Sequence, residues 1–293
     1  MKPQHILLAL LVAAIWGVNF TVISVGLGSF PPLLLAAVRF AIAAIPALFL
    51  PRPNIRWPLL IWIGATLFLG QFALLFSGMS VGITAGLASV VLQSQAFLTI
   101  LIASAFLRER PTFRHVSGTL VAFAGLVVIA GTAGGVDFTM TGFGLCLAAA
   151  LCWAVGNVLL KRSGTTTDMF ALVAWLSIIP PLPLLLLSLI MDGPARLSHA
   201  VQTMSWSGIG AVLYIAVLST TVCFAIWGQL LKKYPASAVA PFSLLVPIFG
   251  AASAALFLGE KFEAMRIVGM VMVVAGLVVV VIPARRFWRY QRT

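Results

Sequence analysis

Residues 86–107 read GLASVVLQSQAFLTILIASAFL, a run with no charged residue that nevertheless holds two primary amides, Gln93 and Gln95. Each amide brings two donors and an acceptor into an apolar stretch. A neutral amide can bind an ammonium or a carboxylate without a fixed charge that must itself be neutralised. Similar groups recur along the chain. Trp16 and Asn19 are three apart and Trp153 and Asn157 four apart, so each pair shares a helix face. Gln71 lies between Gly70 and Phe72, and Ser89 precedes Gln93 by four. Tyr214, Thr221 and Trp227 lie in one apolar run, and Ser243 lies between Pro241 and Pro247 in the next. Proline inside a helix frees a backbone carbonyl, which is tolerated in lipid where neighbouring groups or a cavity satisfy it. Leaving Gln95 aside, these eleven residues, Trp16, Asn19, Gln71, Ser89, Gln93, Trp153, Asn157, Tyr214, Thr221, Trp227 and Ser243, form the expected substrate pathway. On an ideal helix Gln93 and Gln95 are about 200° apart. Gln93, in line with Ser89, is therefore placed toward a cavity and Gln95 in a helix–helix bond.

Composition says what must position them. The chain has 293 residues, 62% hydrophobic and 8% charged, against about 25% charged in soluble domains. Ten continuous apolar segments, near 5–27, 32–50, 57–79, 84–107, 114–132, 140–160, 169–191, 206–231, 236–258 and 264–283, each approach the roughly 20 residues a membrane helix needs. Strands of a barrel would alternate instead. The expected fold is an all-α membrane protein of ten transmembrane helices, with the lipid bilayer as a partner and the first segment an uncleaved span.

The net charge of +12 is read as topology. With a cytoplasmic N-terminus, fourteen Lys and Arg fall on the inner side, three (Arg196, Lys261, Arg266) on the outer, and Arg39 within a span, as the positive-inside rule requires. Both termini are then cytoplasmic. The basic residues are scattered over short loops, which argues against nucleic acid. Trp57, Trp62 and Trp288 suit interfacial anchoring. Cys146, Cys152 and Cys223 lie inside spans without metal-ligand spacing, so no metal, cofactor or disulfide is expected.

The second half echoes the first. At an offset of 151, Phe106, Glu109, Gly118 and Gly125 meet Phe257, Glu260, Gly269 and Gly276. Two five-helix repeats, 1–136 and 137–293, follow. An odd number of helices per repeat forces the second to thread the membrane in the opposite sense, the arrangement of many secondary transporters. Segments 5 and 10, with glycines seven apart on one face, read as scaffold. Segments 1, 3, 4, 6, 8 and 9 read as the cavity wall. Arg39 could meet a substrate carboxylate, snorkel, or hold helix ends together. All six carboxylates fall in loops or at segment ends, so a buried proton relay is hard to assemble. The loops offer no His–carboxylate motif, which argues against an enzyme, and nothing indicates the selectivity ring of a channel.

WGVNF in segment 1, Arg39–Phe40 in segment 2, and the fourth and ninth segments ending in RER and GEK resemble the EamA family of the drug/metabolite transporter superfamily. FPPLLLAAVRFAIAAIPALF, GQFALLF, AGLASVVLQSQAFLTI and SLLVPIFGAASAALFLGE resemble its exporters of O-acetylserine and cysteine, and the aromatic-amino-acid exporters share the fold. The resemblance implies an inner-membrane exporter of amino acids or related small metabolites, alternating access through a central neutral polar cavity. A drug or lipid-headgroup exporter of the same fold is the other reading. A monomer and a weak homodimer both remain open.

Overall fold

The computed structural model of the chain describes residues 1–107, 112–132, 138–163, 168–234 and 239–281. Among these the chain is helical, and the only strand-like pairing is one isolated bridge between Ile83 and Phe138. Arg108, Glu109, Arg110, Asp137, Trp288 and the basic residues at 285, 286, 289 and 292 lie outside the described residues.

Six described helices are long and apolar enough to cross a membrane: α1 (Pro3–Leu27), α3 (Trp57–Ser80), α4 (Ala85–Phe106), α6 (Met140–Ser163), α7 (Met169–Gln202) and α8 (Trp206–Lys233). Four more are apolar but shorter by the same measure: α2 (Pro32–Leu48), α5 (Phe113–Gly131), α9 (Phe242–Leu258) and α10 (Ala264–Val281). Prolines open several of them, at Pro3, Pro32 and Pro58, where the missing N–H is unpaired in any helix. The apolar segment ending near 191 continues further than its composition suggests. α7 is interrupted between Leu176 and Pro181 and turns at Gly193 (φ 79°, ψ 158°), a conformation that is essentially glycine's alone, before running on to Gln202.

The packing has a regular pattern. α1 lies against α8 and α9, while α6 lies against α3 and α4. α2 packs on α7, and α5 makes its most extensive contact with α10. The relative directions can be read from individual contacts. A Cβ on Gly125 would lie 2.7 Å from the Gly269 carbonyl oxygen, and one on Gly276 would lie 2.5 Å from that of Gly118. Position 118 therefore faces 276 and 125 faces 269, so α5 and α10 are antiparallel. The glycines spaced by seven let these two backbones touch. In lipid, where tails are as apolar as leucine, such close packing takes over from the hydrophobic effect in holding helices together.

Loop contacts define two ends. At one, Ser29 Oγ meets Ser205 Oγ at 2.9 Å, Thr139 N donates to Gly82 O, and Arg266 donates to Thr132. There too Glu260 accepts the first two amides of α4, from Ala85 at 2.8 Å and Gly86 at 3.1 Å. These are helix-start N–H groups without intrahelical partners, and a carboxylate satisfies both their hydrogen bonding and the positive end of the dipole. At the other end, His5 Nδ1 and the Lys2 amide meet the Tyr234 hydroxyl, Trp175 Nε1 donates to Leu50 O, and Lys232 pairs with Asp168. Phe113, which begins α5, is separated from the Arg266 end by about 27 Å of helix.

The α5–α10 seam sets a stability test. Gly276→Val pushes a branched side chain into the Gly118 backbone and should destabilise the protein by about 1–3 kcal/mol. Gly144→Ala, where an added Cβ meets open space, should leave the melting temperature in detergent unchanged or higher. Equal melting of the two variants would show that the seam is loosely packed.

Candidate functional site

Three helices depart from α geometry near mid-length and a fourth does so at its start. In α3 residues Ala65–Gly70 form a π-helical stretch, and in α8 residues Tyr214–Val222 do so. Thr220 and Thr221 hydroxyls donate to the carbonyls of Ile215 and Ala216, five residues back, filling in where the wider turn weakens the ladder. In α4 residues Leu92–Ser94 tighten to a 3₁₀ turn, and residues Ala240–Leu245 do the same at the start of α9. Pro247 has no N–H for the carbonyl of Ser243 four residues back. The Val246 N–H reaches that carbonyl through the tighter 3₁₀ turn, and Gln93 Nε2 donates to it as well, at 3.3 Å.

These distorted stretches surround a cavity of about 320 Å³. Eight of the eleven expected pathway residues line it: Trp16 and Asn19 from α1, Gln71 from α3, Gln93 from α4, Trp153 and Asn157 from α6, Trp227 from α8, and Ser243 from α9. The cavity extends to Met169, the first residue of α7, and so opens toward the end that carries Asp168 and Lys232. No α5 or α10 residue lines it, but α2 and α7 both do, through Arg39 and through residues such as Leu172 and Leu176. The wall is therefore wider than the six segments expected from their polar content. An apolar helix face can bound a cavity as well as a polar one.

Ser89, Tyr214 and Thr221 are not in the lining. Ser89 is fully buried where α4 meets α9, donating to Gly86 O, and a Cβ on Gly250 would collide with it. Tyr214 donates to Ile15 O at 2.9 Å and ties α8 to α1. Thr221 turns back on its own helix. All three make helix–helix or within-helix bonds, the commonest use of a polar side chain in a membrane helix. Gln95 does both things at once. Its Oε1 accepts from Asn157 Nδ2 at 3.1 Å, as expected of a helix–helix bond, and it also borders the cavity. It reaches the cavity on the α6 side, whereas Gln93 does so on the α9 side, so the two amides flank one space despite their angular separation.

The aromatic lining is fixed by its polar handles. Trp16 Nε1 donates to Ser219 O in the π-helical stretch at 2.9 Å, and its ring packs on Phe224 and Trp227 with centroids 5.3 and 5.2 Å away. On α3, Phe68 and Phe72 contact Phe40 of α2 at 5.0 and 5.1 Å. The four-residue spacing of Phe68 and Phe72 places both on one face, a signal present in the sequence but hidden among twenty phenylalanines.

The cavity is not neutral. Arg39, only 3% exposed, lines it. Its Nε and Nη2 both donate to Thr220 Oγ1, at 3.1 and 2.9 Å, and its guanidinium carbon lies 4.0 Å from the Phe72 ring centroid. The side chain is thus far from either end and does not snorkel.

A helical membrane bundle with a cavity between its helices, apolar in the main and lined by a few amides and indoles, is the architecture of a small-molecule transporter. The EamA-like transporter family model matches residues 4–131 and again 140–282, and the chain belongs to that family. It is 42% identical to the "Probable amino-acid metabolite efflux pump" of Escherichia coli (strain K12), across 99% of this chain and 98% of the relative. It is 43% identical to the protein of the same name in Salmonella typhimurium, across 94% of each. The "Probable terminal-alkyne amino-acid exporter" of Streptantibioticus cattleyicolor is 28% identical over 96% of this chain and 94% of its own length. A solved crystal structure aligns with a TM-score of 0.64 at 19% identity, covering 98% of this chain and all of that one, a likeness of fold. The protein is a multi-pass membrane transporter and not an enzyme.

Accessibility tests the boundary of the cavity. In a background with Cys146, Cys152 and Cys223 replaced by Ala, cysteine at Asn157 or Trp227 should react with a water-soluble thiol reagent, and cysteine at Ser89 should not. Equal labelling of all three would place the polar path elsewhere.

Proposed function

We propose that the protein exports amino acids or related small metabolites, of the cysteine/O-acetylserine or aromatic kind, across the bacterial inner membrane by alternating access. The observation that carries this reading is the central cavity, sized for a small solute, in which amides and indoles from both halves of the chain converge. The names of the relatives support the substrate class.

The architecture behind this proposal is ten membrane helices in two inverted repeats, 1–136 and 137–293. Several observations support it. The family model matches two consecutive segments. Exchanging each helix with the one five places later turns the α1 contacts with α8 and α9 into those of α6 with α3 and α4. The same exchange maps the two π-helical stretches, in α3 and α8, onto each other. The Arg266 end of the molecule lies a helix length from Phe113. With the basic end cytoplasmic, both termini are inside, the cavity opens toward the cytoplasm, and Glu260 closes the outer side.

Among the described residues no Asp, Glu or His lines the cavity. Facilitated diffusion or exchange fits this lining better than a proton relay. The largely apolar wall also suits a drug or lipid-headgroup exporter, and competition by cationic dyes separates the readings.

Purified protein in liposomes should show saturable counterflow of at least one radiolabelled amino acid. Gln93→Ala should lower that rate several-fold at unchanged expression. Counterflow of none of them would remove the exporter reading. Uphill accumulation driven by a pH gradient alone would overturn the exchange mechanism. Cysteines at positions 112 and 261 should label from opposite faces of the membrane, and labelling from one face would dismiss the inverted repeat.

A further inference from the structure

Arg39 holds a buried positive charge without a counter-ion. An arginine at the centre of a membrane helix costs about 2.5–3.5 kcal/mol even on the most lenient scale. The usual remedy is a carboxylate, yet none among the described residues lines the cavity. Among the described residues Asp168 pairs with Lys232, Asp192 with Arg196, and Glu260 with the α4 amides, while Glu263 is exposed. What Arg39 has is one neutral hydroxyl, which accepts from two of its nitrogens, and the face of Phe72. Its third nitrogen, Nη1, is buried and has no partner. A second unpaired polar atom belongs to the same cavity, the Asn19 Oδ1, also buried. The remaining described buried side-chain atoms without partners, on Thr84, Ser94 and Thr119, belong to residues outside the lining.

An unpaired cationic donor and an unpaired neutral acceptor in one cavity match the two ends of a zwitterion. We propose that Arg39 is the carboxylate-binding residue of the transport site, with Nη1 donating to the substrate carboxylate and Asn19 Oδ1 accepting from its ammonium group. This deepens the exporter reading above and rests on it. The ligand class is then a free α-amino acid, or a metabolite with the same carboxylate and ammonium.

Three features follow from the chemistry. The pairing makes a charge-assisted hydrogen bond, about twice as strong as a neutral one. It supplies the counter-ion that Arg39 lacks, so the loaded cavity is closer to charge balance than the empty one. The two Thr220 bonds and the Phe72 ring hold the guanidinium plane in place, so that little of it must be ordered on binding. Cationic amphiphiles meet like charge instead. Arg39 thereby selects against the cationic drugs that the apolar wall would otherwise accept.

The test is competition for counterflow in proteoliposomes. The radiolabelled amino acid that exchanges in the panel is challenged with the unlabelled free acid, its carboxamide, its N-acetyl derivative and tetraphenylphosphonium. In the wild-type protein the carboxamide, which loses the charge at nearly constant size, should compete at least tenfold more weakly than the free acid. Tetraphenylphosphonium should not compete. Arg39→Gln should bring acid and carboxamide within twofold of each other, and Arg39→Lys should keep the preference at reduced affinity. Asn19→Ala should narrow the gap between the free acid and the N-acetyl derivative. Melting in detergent reports whether each variant folds. Should Arg39→Gln fail to fold, the wild-type and Arg39→Lys comparisons still decide. A wild-type protein indifferent to the carboxamide, or folded Arg39→Gln that keeps the full preference, overturns the inference while leaving export intact. Absence of any amino-acid counterflow removes both.

Discussion

Hydrocarbon neither donates nor accepts a hydrogen bond, and this governs how each polar group in the bundle is placed. In the distorted stretches of α8 and α9, side chains bond to the backbone carbonyls, some from the same helix and some from its neighbours. Pro247 offers Ser243 O no N–H, and the carbonyl accepts instead from Val246 N in the 3₁₀ turn and from Gln93 across the α4–α9 contact. The π-helical stretch of α8 presents Ser219 O, and Trp16 takes it. Ile15 O receives a second bond from Tyr214. The irregular backbone borders the cavity because only there, away from lipid, can it be satisfied. Site and distortion are therefore one feature. Two of the residues that make these bonds, Trp16 and Gln93, also face the space between the helices.

The same reasoning explains why the cavity mixes apolar and polar surface. A lining of amides alone would demand partners that the empty state cannot supply. A lining of leucine and phenylalanine alone would give a solute nothing to orient it. Aromatic rings with one polar edge, such as Trp16, combine area with a single directional bond. Arg39 stands apart because no carboxylate among the described residues balances its charge.

Much of this was legible in the sequence. The apolar runs placed the helices to within a few residues, because in lipid the length of an apolar run is set by the bilayer and not by local propensity. The Gly118/Gly125 and Gly269/Gly276 spacing marked helix faces fit for close contact, and they meet each other. What stayed hidden depends on relations between helices. Ser89 shares a helix face with Gln93, yet it sits one turn away at the contact with Gly250 and never reaches the cavity. Gln95 seemed committed to one bond, but a primary amide has enough atoms to serve a neighbour and a cavity together. α7 is a plain apolar rod in the sequence and α2 is one broken by Arg39, and no periodicity in either tells which face borders an empty space. The continuation of α7 past Gly193 was missed because a polar, short helix at the rim carries no membrane signature.

Glu260 gives the molecule a further property. Its carboxylate, on the connection between α9 and α10, grips two adjacent amides at the start of α4. Both bonds share one anchoring group, so they are lost together once α4 draws away by more than about an ångström. Separation at this rim is therefore a snap and not a glide. The clasp favours discrete shapes for the bundle over a continuum of half-parted ones, and it does so with a single side chain.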